Sequence, residues 1–302
     1  MRKIRIGTRS SKLALWQATT VQNLLAEKGI ESELVHIQSA GDVIQDIPLH
    51  EIGSVGLFTK ALDDALLNNE IDCAVHSCKD LPSTLHSEII IAAHLVREDP
   101  RDILVCKTEA ANFLSNDLNA TIATGSVRRK AQWLSKFPNH TLVNLRGNVD
   151  ARLKKLNANN WHGAIFAYAG LKRLNIHPKY FYFPDWIIPA PAQGVVVVVC
   201  KKDDTTTAEK FAIINHEPTA ITTTVERDFL RLMDGGCVSP IGAIAKINAE
   251  KINFDIAVYS TDGTDKVQLH FEASLQHYNK LGAQAHKGAA AQGAVAIIQK
   301  LK

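Results

Sequence analysis

The chain has 302 residues, 46% hydrophobic and 22% charged, the proportions of an ordinary globular protein long enough for two or three domains. A net charge of +3 excludes a generic polyanion binder, so any strong anion site must be a local cluster of arginine and lysine. The five cysteines, at 73, 78, 106, 200 and 237, include no CxxC pair, which argues against a zinc site or a disulfide framework.

No stretch approaches membrane-spanning length and Met1–Gly7 has no signal pattern, so a reducing, cytoplasmic setting is expected. Lys3–Gly7 alternates charged and apolar residues and predicts a strand. Thr8–Ser11 is a loop whose serines can cap the next helix, over Lys12–Lys28, with Leu13, Trp16, Leu24 and Leu25 toward a core. A second strand over Glu33–Gln38 makes this the opening of a parallel α/β sheet, in which ligands sit beyond the carboxyl ends of strands. Arg9 and Ser11 fall there, and Arg9 reads either as a solvated loop charge or as an anion ligand. Gly41–Gly56 is a polar connector with the character of a flap; its Gly53–Gly56 run lacks the lysine and spacing of a phosphate loop. A helix over Leu57–Asn68 and a buried strand over Ile71–Val75 lead to His76–Pro82. Here Lys79 and Asp80 again gather past a strand end. Asp80 reads as a turn cap or as a carboxylate placed to stabilise a developing cation.

Arg97–Asp102 is a charged crossing between two lobes, and a new strand begins at Ile103. At Thr121–Lys130 a strand ends, Gly125-Ser126 turns, and a helix starts with Arg128 and Arg129 in its first turn. Cations there oppose the helix dipole at a cost of roughly 0.3–1 kcal/mol each when exposed, which points to bound anions. The pattern recurs at Leu142–Asn148, where Arg146 and then Arg152 follow a strand, and at Gly163–Arg173, which ends in Arg173. Of twelve arginines, Arg9, Arg128, Arg129, Arg146, Arg152 and Arg173 all fall at strand ends or helix starts. That distribution argues for a cleft receiving several carboxylates or phosphates, which arginine binds with paired hydrogen bonds.

Phe181–Trp186 reads as a linking segment, Pro189–Gly194 as a hinge-like run, and Val195–Cys200 as a strand returning to the first sheet. Two lobes joined by two crossings would resemble solute-binding clamshells. From about Glu217 a third domain opens with a helix whose apolar face includes Val225, Phe229 and Leu232. Gly235 and Gly236 are expected to stop it in left-handed backbone, and Cys237 follows at once, with Pro240 preventing the helix from resuming. Cys237 is either a buried turn filler or an attachment point. Three strands near 241–248, 251–259 and 266–273 and an alanine-rich helix over 278–300 complete an antiparallel sheet with helices on one face.

Thr8–Gln17, His76–Asp80, Arg97–Asp102, Leu145–Val149, Ala169–Arg173 and Gly235–Gly242 together, in order and across the whole chain, resemble the porphobilinogen deaminase (hydroxymethylbilane synthase) family. The resemblance implies an α/β fold of two lobes like periplasmic binding proteins, at 1–96 with 194–216 and at 97–193. It also implies a C-terminal α+β domain with a three-stranded antiparallel sheet at 217–302. A dipyrromethane cofactor would be held by a thioether to Cys237. Asp80 would be the central catalytic carboxylate, with Lys79 beside it. Arg9, Ser11, Lys79, Ser126, Arg128, Arg129, Arg146, Arg152 and Arg173 would hold the carboxylate arms of cofactor and substrate. The implied reaction joins four porphobilinogen molecules into a linear tetrapyrrole, hydroxymethylbilane, with loss of ammonia in haem biosynthesis. It needs no metal, nucleic acid or membrane, and the protein is expected to be a monomer. Each added unit brings two carboxylates, which accounts for so many arginines in a nearly neutral chain.

The chain departs from the family at Glu51 and Val55, where the flap commonly carries lysines, and at Ala123 and Gly125, which alter a Gly-Thr-Ser run. Ala192 replaces the first glycine of a Gly-Gln-Gly hinge and is expected to stiffen it, and Cys78 is assigned to packing. Two other readings share the lobes. A non-catalytic solute-binding protein leaves Gly-Gly-Cys237 unexplained, and a regulator's effector domain lacks a helix-turn-helix or basic stripe.

Overall fold

The structure, a computed structural model, describes residues 2–38, 59–115, 118–236 and 239–301. In chain order the first elements are β1 (Ile4–Thr8), α1 (Lys12–Ala26), β2 (Ser32–His36), α2 (Lys60–Leu67), β3 (Cys73–Ser77), a single 3-10 turn (Cys78–Asp80), β4 (Ile89–His94) and β5 (Asp102–Cys106). Then come β6 (Thr121–Ala123), α3 (Val127–Lys136), β7 (Thr141–Val143), α4 (Val149–Ala158), β8 (Gly163–Ala167), α5 (Tyr168–Arg173), β9 (Tyr180–Tyr182), β10 (Val196–Lys201) and α6 (Thr205–Ala212). The chain closes with α7 (Glu217–Leu232), β11 (Ile241–Asn248), β12 (Lys251–Tyr259), β13 (Lys266–Ser274), α8 (Tyr278–Ala291) and α9 (Ala294–Gln299).

The described residues up to 38, with 59–98 and 194–221, form one compact unit; those in 99–193 and 222–301 form a second. The first unit holds a five-stranded sheet in the order β2-β1-β3-β10-β4. β1 runs parallel to β2 and β3, as the opening pattern predicts, whereas β10 is antiparallel to both its neighbours, so the sheet is mixed. Val196–Val199 are all buried because β10 is an inner strand covered on both faces. The face α1 buries differs in part from the expected one: Leu25 turns inward as expected, but Gln17, Ala18 and Val21 turn in with it, while Trp16 is 39% exposed. A polar residue can take that inner place because Gln17 Nε2 donates to Ser77 Oγ at 2.8 Å, so its amide goes in satisfied.

The second unit holds two sheets. One has the order β7-β6-β8-β5-β9, with β6, β7 and β8 mutually parallel and β5 antiparallel to β8 and β9. The segment read as a link is in part an edge strand, β9, with Phe181 half exposed on it. The other sheet is the antiparallel meander β11-β12-β13, with α8 and α9 packed on it. The single closing helix expected from the alanine-rich tail is broken at Gly293, whose φ of +87° is the left-handed backbone that ends α8.

The meander and the lobe share a unit because they touch backbone to backbone. A Cβ on Gly263, in the turn between β12 and β13, would lie 2.3 Å from Ala131 O on α3. Ala131, Ala257, Tyr259 and Ile188 form a small apolar cluster at that contact.

Candidate functional site

In the first unit the carboxyl ends of the parallel neighbours β1 and β3 share one edge, and the predicted residues follow both strands. Ser11 caps α1, its Oγ accepting from Ala14 N at 3.3 Å, and Arg9 precedes it, half-buried. After β3 the chain turns through Cys78, Lys79 and Asp80: Cys78 is sealed, Lys79 half-buried and Asp80 exposed. Asp80 is therefore an open carboxylate fixed on a buried footing.

His76, at the end of β3, was assigned no role from sequence. It is 5% exposed, and its Nε2 is buried without a hydrogen-bond partner. Burial first, and the charge of Arg9 second, push its imidazole down to about 4, so it is neutral near neutral pH.

In the second unit, β6, β7 and β8 run parallel side by side, so the segments after them meet at one edge. These segments carry Ser126, Arg128 and Arg129; Arg146 and Arg152; and Arg173. Gly125 permits the close approach: a Cβ there would sit 2.5 Å from Leu145 O, beside Arg146. Ser126 is the cap of α3, its Oγ accepting from Arg129 N at 3.4 Å. Asn148 caps α4 in the same way through Ala151 N at 2.9 Å.

The cations in the first turn of α3 have an internal anion. Arg128 Nη1 donates to Asp102 Oδ2 at 2.7 Å, and Arg129 Nε donates to Asp102 Oδ1 at 2.9 Å. Arg129 also donates to Ile165 O at 3.1 Å, and Arg128 to Ile188 O at 2.8 Å. Gln193 Nε2 completes the carboxylate's shell at 2.8 Å. Burial alone would raise the pKa of Asp102, but the two guanidiniums and the hydrogen bonds from Arg128 and Gln193 hold it well below the usual carboxylate range. The sequence did carry a signal, since buried arginines need an anion and Asp102 opens β5, an earlier strand of the same sheet.

Arg152 turns back on its own loop, with Nε donating to Gly147 O at 2.7 Å, and Arg173 is half-buried at the end of α5. Arg146 is buried more deeply, although Arg173 Nε is likewise buried without a hydrogen-bond partner among the described residues. Arg146 is 7% exposed, and its Nη1 is buried with no partner among the described residues. Desolvation pulls its pKa below the ordinary arginine value.

Cys73, Cys78, Cys106 and Cys200 are free and buried. Burial pushes the Cys106 thiol up to about 12 and the Cys200 thiol up to about 11, so neither supplies thiolate near neutral pH. Cys237 lies outside the described residues, as do Glu51, Val55 and the rest of the expected flap. The residues flanking 237–238 are bonded to each other: Ser239 N donates to Gly236 O, and Gly236 N to Ser239 Oγ, each at 3.0 Å. The glycines before them act otherwise than expected. The left-handed residue that ends α7 is Asp234, with φ of +52°. Gly235 instead provides room, because a Cβ there would be 2.6 Å from Ile241 Cδ1.

Residues 4–209 match the family model "Porphobilinogen deaminase, dipyromethane cofactor binding domain", and residues 220–289 match "Porphobilinogen deaminase, C-terminal domain". A porphobilinogen deaminase of Campylobacter hominis is 39% identical over 99% of this chain and 98% of its own. One of Moorella thermoacetica is 39% identical over 100% and 97%, and a chloroplastic one of Oryza sativa is 41% identical over 86% and 75%. Among solved structures, the methionine binding protein MetQ is similar over 70% of this chain and 89% of its own, at 14% identity and a TM-score of 0.43. No helix among the described residues is long and apolar enough to cross a membrane.

These matches define a class, the α/β transferases that pair a dipyrromethane-binding domain with a separate C-terminal domain. The chain belongs to the porphobilinogen deaminase family, which acts on porphobilinogen and assembles tetrapyrroles in haem biosynthesis.

Proposed function

We propose that the residues gathered at the two sheet edges divide the work of this reaction between a carboxylate and a set of guanidiniums. The observation that carries the reading is Arg146. A buried cation with an unanswered donor costs several kcal/mol unless an anion arrives, so its place in the fold is accounted for by a ligand bearing carboxylates. Arg128, Arg129, Arg152 and Arg173 follow neighbouring strands, and Ser126 adds a hydroxyl. Arg9 and Ser11 serve the same purpose on the other lobe. The donor set thus fits a dipyrromethane with acid side chains. When bound, that group supplies the nucleophilic terminal pyrrole that is extended.

Asp80 accepts hydrogen bonds from pyrrole N–H groups, stabilises positive charge on the ring that has lost ammonia, and takes part in the later proton loss. Lys79 screens the incoming acid arms. Cys237 is the attachment point, consistent with four other cysteines that are buried. We assign 1–96 with 194–216 to the catalytic lobe, 97–193 to the second lobe and 217–302 to the attachment domain, and we expect a cytoplasmic monomer.

Intact mass tests this directly. Wild-type protein should run heavier than its sequence by two linked pyrrole units, and Cys237→Ser should run at sequence mass. Asp80→Ala should keep the fold but turn over very slowly. Arg146→Met should take up little pyrrole while the apoprotein gains about 0.5–2 kcal/mol of stability, the range seen when a strained functional residue is relieved. A Cys237→Ser protein still carrying the adduct, or an Arg146→Met protein that loads normally, would overturn the assignment.

A further inference from the structure

Glu226 on α7 is 0% exposed, and both its carboxylate oxygens accept backbone donors from separate segments. Oε2 accepts from Ala192 N at 2.6 Å and Oε1 accepts from Ala245 N of β11 at 2.7 Å. Ala192 is itself unusual, a buried non-glycine residue with φ of +61°. Such backbone persists only where its surroundings hold it. The run that Glu226 grips, residues 188–193, also decides where Arg128 points. Two acceptors fix Arg128 Nη1: Ile188 O belongs to that run, and Asp102 is held by Gln193 of the same run. From the far side the run is tied to the meander a second time, Ala243 N donating to Pro189 O at 2.9 Å. Gln132 on α3 clasps Ile188 at both N and O.

From this chain of contacts we infer that Glu226 is a positioning residue for the anion site: it holds the 188–193 run so that Arg128 is aimed at a ligand carboxylate. The attachment domain therefore has a second role, bracing the arginine-bearing edge of the lobe. The inference rests on the proposed role of Arg128. A glutamine at 226 offers one acceptor and one amide donor to two backbone N–H groups, so it can keep only one of the two bonds.

A double-mutant cycle on the full chain tests it, using protein made in a host that lacks porphobilinogen. The readout is the porphobilinogen concentration giving half-maximal pyrrole loading, followed by intact mass. Glu226→Gln should raise it about tenfold in the wild-type background but by no more than about twofold in an Arg128→Ala background, because residues acting as one unit do not add. Full additivity, or no effect of Glu226→Gln alone, would show that Glu226 serves only the fold and overturn the inference. If Arg128→Ala alone loads like wild type, the anion-site reading of Arg128 fails instead. Should Glu226→Gln fold poorly, the same cycle is run with Ala192→Gly throughout, since glycine takes left-handed backbone without the clamp; the same outcomes decide.

Discussion

The buried imidazole of His76 ties the site to the pH range in which the protein holds together. His76 sits one strand end away from the open carboxylate Asp80, with its pKa pushed down to about 4 by burial and by Arg9. An unfolded histidine titrates near 6.5, so between those values the unfolded chain binds more protons than the native one, and stability falls as pH falls. From pH 7 to 5 this one group should remove about 2 kcal/mol. Asp63 works in the opposite direction: burial raises its carboxyl to about 6, so the native state binds the extra proton and gains stability on acidification. His140, also lowered by burial, adds to the His76 slope, so the wild-type curve alone mixes several contributions. Denaturant unfolding of His76→Gln and wild type at both pH values isolates that of His76. The variant should lose about 2 kcal/mol less on acidification, and parallel losses in the two proteins would show that His76 is not held neutral by the fold.

Elements were legible in the sequence wherever local chemistry defined them. Ser11 accepts the capping hydrogen bond expected of it, and Ser126 and Asn148, at the starts of α3 and α4, accept the same kind of bond. The parallel strands that bring Arg128, Arg146 and Arg173 to one edge were readable because two of them, β6 and β7, end in polar turns and β8 is a short apolar run. What stayed hidden depends on distant partners. The inner face of α1 runs through Gln17, an assignment only its bond to Ser77 explains. β9 reads as a link because prolines flank its aromatics at 178 and 184, yet β5 offers it a free edge. Asp102 looked like one more charge in a crossing, and only the fold sets it between two guanidiniums. The turn at Gly263 can be tested against Gly293. Both are left-handed, with φ of +78° and +87°, but a Cβ at Gly293 meets nothing within 4 Å. Gly293→Ala should cost about 1 kcal/mol of backbone strain. Gly263→Ala should cost more, about 2–3 kcal/mol, since it also drives α3 off the meander. Equal losses in thermal melts would mean that the turn does not bear on α3.

Across the described residues, three sheets resolve into two compact units, with the meander grouped with the arginine-bearing lobe. The meander is bound to the arginine-bearing lobe through Glu226, through Ala243 and Pro189, and through the seat of Gly263 on α3. Asp102 lies at the centre of that lobe, and removing its charge leaves two buried guanidiniums without their anion, a loss of about 3–5 kcal/mol. If the second unit is one cooperative body, the loss cannot stay local. Asp102→Asn should speed amide exchange across β5–β9 and β11–β13 together, while β1–β3 and β10 keep wild-type protection. Exchange that rises only across β5–β9 would make the meander an independent body, and the path from Glu226 to Arg128 would then have no rigid support. Faster exchange in all three sheets would make the whole chain one cooperative unit and remove the boundary at residues 98 and 194. The geometry favours the first outcome, because the Glu226–Ala192 and Ala243–Pro189 bonds between meander and lobe pass through the same six residues that aim Arg128 and close on Asp102, and Gly263 adds a separate seat on α3.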